Sequence, residues 1–180
     1  MHGIIFAELK KYVQARHGDE TWKALLQRAG LPATTLYLPV REYPDADAAA
    51  IVGAASEATG VPAGEIMEDL GHFITPDLMG MYRALVKPEW RTLDFLENTE
   101  DTIHRVVRIK DKAAKPPEIR CERVSPDEVV IHYSSERRMC AVARGIARGV
   151  ADHYGERADV TEPSCMLRGD PECHIHVRTA

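Results

Sequence analysis

The 180-residue chain has no apolar run approaching the ~18 residues that a membrane-spanning helix needs. It has no basic excess either. Its 23 Lys and Arg stand against 28 Asp and Glu, and a net charge of -5 argues against a general nucleic-acid binder, because neutralising phosphates takes a positive surface. Between Met1 and Lys11, Glu8, Lys10 and Lys11 occupy the place where a secretory signal would carry its apolar stretch, so the cytoplasm is the expected compartment. The four cysteines, Cys121, Cys140, Cys165 and Cys173, are too few for a disulfide scaffold and form no CxxC unit. In a reducing compartment they are free thiols, metal ligands or redox switches, and composition does not choose among these. Repeats and low-complexity tracts are absent. So are GxSxG, HExxH, a phosphate loop and any framed pair of carboxylates, and the chain is therefore read as non-enzymatic.

What is present suits one globular domain, 1–180, long enough to enclose a core and a cofactor pocket: 44% of the residues are hydrophobic and 28% charged. Residues 4–16 place Ile5, Leu9, Tyr12 and Val13 on one helical face. A short helix with Trp22, Leu25 and Leu26 follows Asp19 and stops at Gly30. Asp45 and Asp47 can start an Ala-rich helix ending near Gly60, and Pro62 with Glu65 opens another that runs to about His72. Pro76 is expected to open a fifth, around Leu78, Met79 and Tyr82. The longest helical candidate, 92–113, has Leu93, Leu96, Ile103 and Val107 as its stripe, with His104 at the edge. Strands are expected at 118–124, 128–135, 157–162 and 173–179, with a helix at 138–154. This is an α+β pattern: a helical part of about 1–114, then a sheet-bearing part of about 115–180, with Pro116–Pro117 at the seam.

Tyr133, Ser135 and Arg137 are spaced i, i+2, i+4, which on an extended strand points all three to one side. Two hydroxyls and a guanidinium suit a dianionic ligand; equally, they suit a polar strand end facing water. His104 alone is weak evidence, since a histidine beside an apolar stripe is commonly a hydrogen-bonded core residue. Its neighbours Glu100 and Arg108 fit ordinary surface charges, and the series Arg105, Arg108, Lys110, Lys112 and Lys115 fits a solvated helix end.

Taken in order along the chain, these pieces resemble the heme nitric-oxide/oxygen-binding (H-NOX) domains, which also form the heme domain of soluble guanylate cyclase. The resemblance rests on Met1-His2-Gly3-Ile4-Ile5, Trp22 with Ala29-Gly30-Leu31, Ala54-Ala55-Ser56-Glu57 with Thr59-Gly60, His104, Pro116–Pro117, and the YxSxR set Tyr133, Ser135 and Arg137. It implies heme b between the two parts, with His104 as proximal iron ligand and Tyr133, Ser135 and Arg137 holding the propionates. Pro117 would press on the porphyrin, and Ile5, Leu9 and Leu78 would line the distal face. A single neutral imidazole ligand leaves the opposite iron face open to gas. In the family, nitric oxide weakens the proximal bond and the heme flattens, and the usual partner of a stand-alone bacterial member is a histidine kinase or a cyclic-di-GMP enzyme.

Two departures qualify that resemblance. Members that hold oxygen place a distal tyrosine where this chain has Val142, so the expected ligands are nitric oxide and carbon monoxide. Some bacterial members hold zinc on a cysteine cluster. Here Cys140, Cys165 and Cys173 fit that cluster, while Glu162 stands near the place of the missing fourth cysteine. Glu162, His174 or His176 could complete a tetrahedron, and zinc binding, a redox switch and plain buried thiols all stay open. Cys121 reads as a small core residue. A heme peroxidase would need a distal acid–base group, which the aligned residues do not supply.

Overall fold

Local chemistry marks several helix ends of the first part. In the computed structural model, which describes residues 1–110 and 115–180, α1 (Gly3–His17) starts after His2, whose ring accepts a bond from the Ile4 N–H. Phe6, Leu9, Tyr12 and Val13 form its buried stripe. Gly3 is there because nothing larger fits: a Cβ would lie 2.0 Å from the Leu38 carbonyl oxygen. Helix α2 (Asp19–Arg28) buries Trp22, Leu25 and Leu26. Helix α3 (Asp45–Thr59) has Asp45 and Asp47 in its first turn, where the helix dipole favours them, and ends at Gly60 in the left-handed region. Tyr37 stacks on Phe6 with ring centroids 4.2 Å apart, beside the fully buried Leu26 and Ile51.

Two compact units result, Met1–Leu70 and Gly71–Ala180. The division falls inside α4 (Ala63–Tyr82), whereas the expected seam, Pro116–Pro117, lies within the second unit. Helix α4 also corrects an expectation. It runs unbroken through Pro76 instead of ending near His72 and restarting. Proline at 76 removes the N–H that would reach the carbonyl four residues back, at His72, but the buried Thr75 hydroxyl still bonds the Gly71 carbonyl at 2.8 Å. The long helix expected over 92–113 is three pieces: α5 (Thr92–Thr99), a π-helical turn (Glu100–His104) and α6 (Arg105–Lys110). Its expected last residues, 111–113, lie outside the described ones.

The sheet follows expectation closely. Strands β1 (Glu118–Ser125), β2 (Glu128–Ser134), β3 (Ala158–Ser164) and β4 (Cys173–Thr179) pair antiparallel in the order β1-β2-β4-β3. Helix α7 (Cys140–His153) connects β2 to β3. Val129, Ile131 and Tyr133 of β2 and Cys173, Ile175 and Val177 of β4 are buried together with Leu93, Leu96, Ala147 and Val150. The architecture is α+β, as the patterning implied. No helix among the described residues is long and apolar enough to cross a membrane.

Within the second unit, α4 and α7 approach at backbone distance. A Cβ on Gly71 would lie 2.2 Å from the Val142 carbonyl oxygen, and one on Gly149 would lie 2.5 Å from the Thr75 hydroxyl. Gly71→Ala and Gly149→Ala should each destabilise by about 1–3 kcal/mol, the usual cost of overpacking, in urea-unfolding curves. Gly53→Ala, in α3 with nothing within 4 Å of the added methyl, should be neutral or stabilise by up to ~1 kcal/mol. Equal effects at the three positions would remove steric crowding as the reason for the glycines.

Candidate functional site

His104 closes the π-helical turn. Its side chain is 16% exposed, and its Nδ1 sits 2.9 Å from Glu100 Oε2. A carboxylate partner at Nδ1 fixes a proton there and turns the electron pair of the neutral ring to Nε2, which has no partner among the described residues. Glu100 is shared: its other oxygen accepts from the Arg108 guanidinium. Burial pushes the His104 imidazole below its ordinary value of 6.5, opposed by the Glu100 carboxylate, and Arg108 pushes the same way as burial. Burial acts to raise the Glu100 carboxyl, yet the hydrogen bonds from Arg108 and His104 leave it below the usual range. A buried, neutral imidazole with one orphan nitrogen is suited to a metal.

The YxSxR residues come together through a turn and not through strand alternation. Strand β2 ends at Ser134, so only Tyr133 keeps strand geometry. Its buried hydroxyl accepts the Met139 N–H at 3.1 Å, and burial raises its pKa. Ser135 Oγ accepts the Arg137 N–H at 3.2 Å, its carbonyl accepts the Arg138 N–H, and Arg138 stands at φ 50. That left-handed backbone costs a non-glycine residue roughly 1–2 kcal/mol. The Arg137 guanidinium donates to the Lys115 carbonyl, which ties the turn to the segment leading into the half-buried Pro117.

A second cluster lies on the core side of β4. Ligand atoms of Cys140, Glu162, Cys165 and Cys173 all fall within 4.8 Å of one another. The Cys140 and Cys165 sulfurs are 3.6 Å apart, and those of Cys165 and Cys173 are 3.9 Å apart. Glu162, with its side chain 6% exposed, bonds Arg144 through Oε2, while its Oε1 is buried without a hydrogen-bond partner. Burial raises the Cys140 and Cys173 thiols. His174 and His176 turn to the opposite sheet face, where they bond Glu172 and Glu128, because strand residues alternate sides. Glu162 is thus the fourth member that geometry supplies. Cys121 is half-buried, its sulfur bonded to the Leu96 carbonyl, and burial pushes its thiol up to about 12.

Of the residues expected on a distal face, Leu9 is buried within the first unit and Ile5 half-buried, while Leu78 and Val142 are half-buried in the second. Periodicity missed the π-helical turn and the bonding role of Glu100. The i, i+4 spacing of Glu100 and His104, followed by Arg108 at i+8, was the available signal.

A family model described as Haem-NO-binding matches residues 2–162. Soluble guanylate cyclase gcy-31 of Caenorhabditis elegans is 25% identical over 146 residues, covering 77% of this chain and 20% of the relative. Soluble guanylate cyclase gcy-32 of the same organism is 24% identical over 181 residues, covering 98% and 26%. The chain therefore spans about a fifth to a quarter of the length of these curated relatives. An H-NOX protein from S. oneidensis, solved in the Fe(II)NO ligation state, matches with a TM-score of 0.92 at 24% identity, covering 100% of this chain and 99% of that one. The Fe(II) unliganded H-NOX protein from K. algicida matches with a TM-score of 0.90 at 19% identity, covering 100% and 97%. At these identities the solved structures establish the fold.

The His104–Glu100–Arg108 set has a definite pH signature. As pH falls, the unfolded chain protonates its histidine first, at the ordinary 6.5, so the folded state loses stability below that pH. Glu100 acts in the same direction: its contribution is present above the ordinary 4.5 and lost as pH falls through its lower folded value. In protein free of any bound cofactor, an NMR titration should find the His104 ring protonating below 6.5. Glu100→Gln should move it lower still, since the carboxylate is what holds the imidazole up. A ring that titrates above 6.5 would contradict the burial argument.

Proposed function

The chain belongs to the Haem-NO-binding family, and on that premise we propose that it is a heme-based gas-sensing domain, taking nitric oxide and carbon monoxide and regulating a partner protein. The observation that carries this is His104: a neutral, largely buried imidazole whose Nδ1 is committed to Glu100 and whose Nε2 is open. Ferrous heme, when bound, would supply an iron able to take a diatomic gas. His104 is the residue that would hold that iron, and Glu100 sets its tautomer and ring orientation. Arg137 and the hydroxyls of Tyr133 and Ser135 would hold the two carboxylates, as charge-assisted and neutral donors on one turn. Pro117 keeps the porphyrin-pressing role, and Ile5, Leu9, Leu78 and Val142 the distal role, that the resemblance gives them. Val142 would offer no hydroxyl donor on the distal face, which would favour nitric oxide and carbon monoxide over oxygen. The partner is of the histidine kinase or cyclic-di-GMP enzyme class and the setting is cytoplasmic. The domain itself performs no reaction.

A second reading concerns the thiol cluster, favoured by Glu162, which brings a carboxylate oxygen within 4.8 Å of three cysteine sulfurs and keeps Oε1 buried without a hydrogen bond. Three thiolates and a carboxylate fit tetrahedral Zn²⁺. Zinc would displace the thiol protons that burial retains, so its affinity rises with pH. Peroxide would oxidise the zinc-bound Cys140 and Cys165 thiolates to a disulfide, its two oxygens leaving as two waters with two protons taken from solvent, with release of the ion.

His104→Ala should abolish heme retention, and free imidazole should restore part of it; an unchanged Soret band without imidazole would exclude His104. Arg137→Ala should speed heme loss by roughly ten- to a hundred-fold, the equivalent of a charge-assisted bond of about 1.5–3 kcal/mol. The ferrous protein should bind nitric oxide and carbon monoxide and remain unligated in air, and a stable oxy spectrum would overturn the ligand assignment. For the thiol cluster, metal analysis of reduced protein should find about one tightly held zinc per chain, lost in a Cys140→Ser/Cys173→Ser variant.

A further inference from the structure

Strand alternation leaves a second donor cluster on the side of the sheet away from the thiols. His132 of β2 and His174 of β4 are direct cross-strand partners. Their rings meet edge to face with centroids 4.6 Å apart. Glu172, two residues before His174, places Oε1 at 3.0 Å from His132 Nδ1 and 2.8 Å from His174 Nε2. One ligand atom from each of the three residues lies within 4.8 Å of the others. From these placements we propose that His132, His174 and Glu172 form a metal site on the solvent-facing side of the sheet, taking a divalent first-row transition cation of the Zn²⁺, Ni²⁺ or Cu²⁺ class.

The donor types exclude the other cations. Two imidazoles are poor ligands for Mg²⁺ and Ca²⁺, which take oxygen, and the site has no thiolate for Cu⁺. Ligands about 2.0–2.1 Å from zinc in a tetrahedron stand roughly 3.3 Å apart, so the present 2.8 and 3.0 Å separations need open by only a few tenths of an ångström. The arrangement is pre-organised, because both histidines sit on paired strands, and the Ser164 hydroxyl donates to the Glu172 carbonyl at 3.1 Å. Glu122 of β1 stands 3.7 Å from His132 Nε2, near enough to become its outer carboxylate partner once Nδ1 turns to the ion. Glu172 Oε1 faces both imidazoles and is the anionic ligand of the three. His174 and Glu172 side chains are each 37% exposed, which leaves the remaining coordination positions to water and the ion exchangeable. Between them Cys173 points into the core, so the two clusters share a strand but no ligand.

Equilibrium dialysis of the full reduced chain against Zn²⁺ tests this independently of heme and of the thiol cluster. A Cys140→Ser/Cys173→Ser protein should still bind one zinc. His174→Gln or His132→Gln in that background should weaken binding by more than the 10–100-fold that loss of an outer partner costs, and Glu122→Gln by no more than that range. Far-UV circular dichroism checks that each variant is folded. In the unmodified protein, added Zn²⁺ should shift the NMR ring signals of His132 and His174, which keeps the test available should the serine variant not fold. Ring signals unmoved by zinc, or zinc binding indifferent to both histidine substitutions, would overturn the site.

Discussion

The register between β2 and β4 is the constraint on which the second unit depends. Val129, Ile131 and Tyr133 face the core opposite Val177, Ile175 and Cys173, and the intervening His132, His174 and His176 take the other face. A slip of one residue would exchange the two sets, placing histidines in the core and the aliphatic residues in water. Full burial of a Val or Ile side chain is worth about 1.5–3 kcal/mol, and Val129, Ile175 and Val177 are wholly buried, so the register is strongly specified. That single choice sends Cys173 inward to the thiol cluster and His174 outward to Glu172 and His132.

Tyr133 carries the register into the candidate heme-holding turn. It is the cross-strand partner of Cys173, and its hydroxyl holds the Met139 N–H, one residue before α7 begins at Cys140. The proposed propionate turn and the thiol cluster therefore share a wall. Arg137 extends the same turn to Lys115, ahead of the Pro116–Pro117 pair. Tyr133 is thus tied to the N-terminus of α7, the helix whose Val142 and Gly149 lie against α4. The mechanical path from β2 to α4 consists of short, named contacts in a close-packed interior, where small shifts are transmitted and not absorbed.

Much of this was legible in the sequence, and the reasons differ by element. Strand limits came within two residues because alternation and the Ser125–Asp127 and Gly169–Pro171 turns mark them twice. The unbroken α4 was not legible: Pro76 reads as a start, and only tertiary packing around Thr75 and Gly149 shows the helix continuing through it. The π-helical turn was hidden for a related reason, since Leu96, Ile103 and Val107 keep α-helical spacings across it. His104 and the YxSxR set were conspicuous through family resemblance, but residue spacing alone implied a strand where the chain makes a turn. The choice of Glu162 over His174 or His176 needed the third dimension, because only the sheet says which face each side chain takes.

The electrostatics of His104 show why its partner must itself be shared. A carboxylate devoted wholly to one imidazole raises that ring's pKa and favours the imidazolium, which has no electron pair to give a metal. Arg108 draws on the same carboxylate through its other oxygen and, as a nearby cation, disfavours a charged ring directly. Burial adds to the same effect and outweighs the pull of Glu100. The result is an imidazole oriented by a carboxylate yet kept neutral, with the Nδ1 proton fixed and the ring's electron pair at Nε2. Removing Arg108 would therefore strengthen the hold of Glu100 on the ring while making it a poorer ligand as pH falls. Glu100 reconciles these two requirements by meeting His104 with one oxygen and Arg108 with the other.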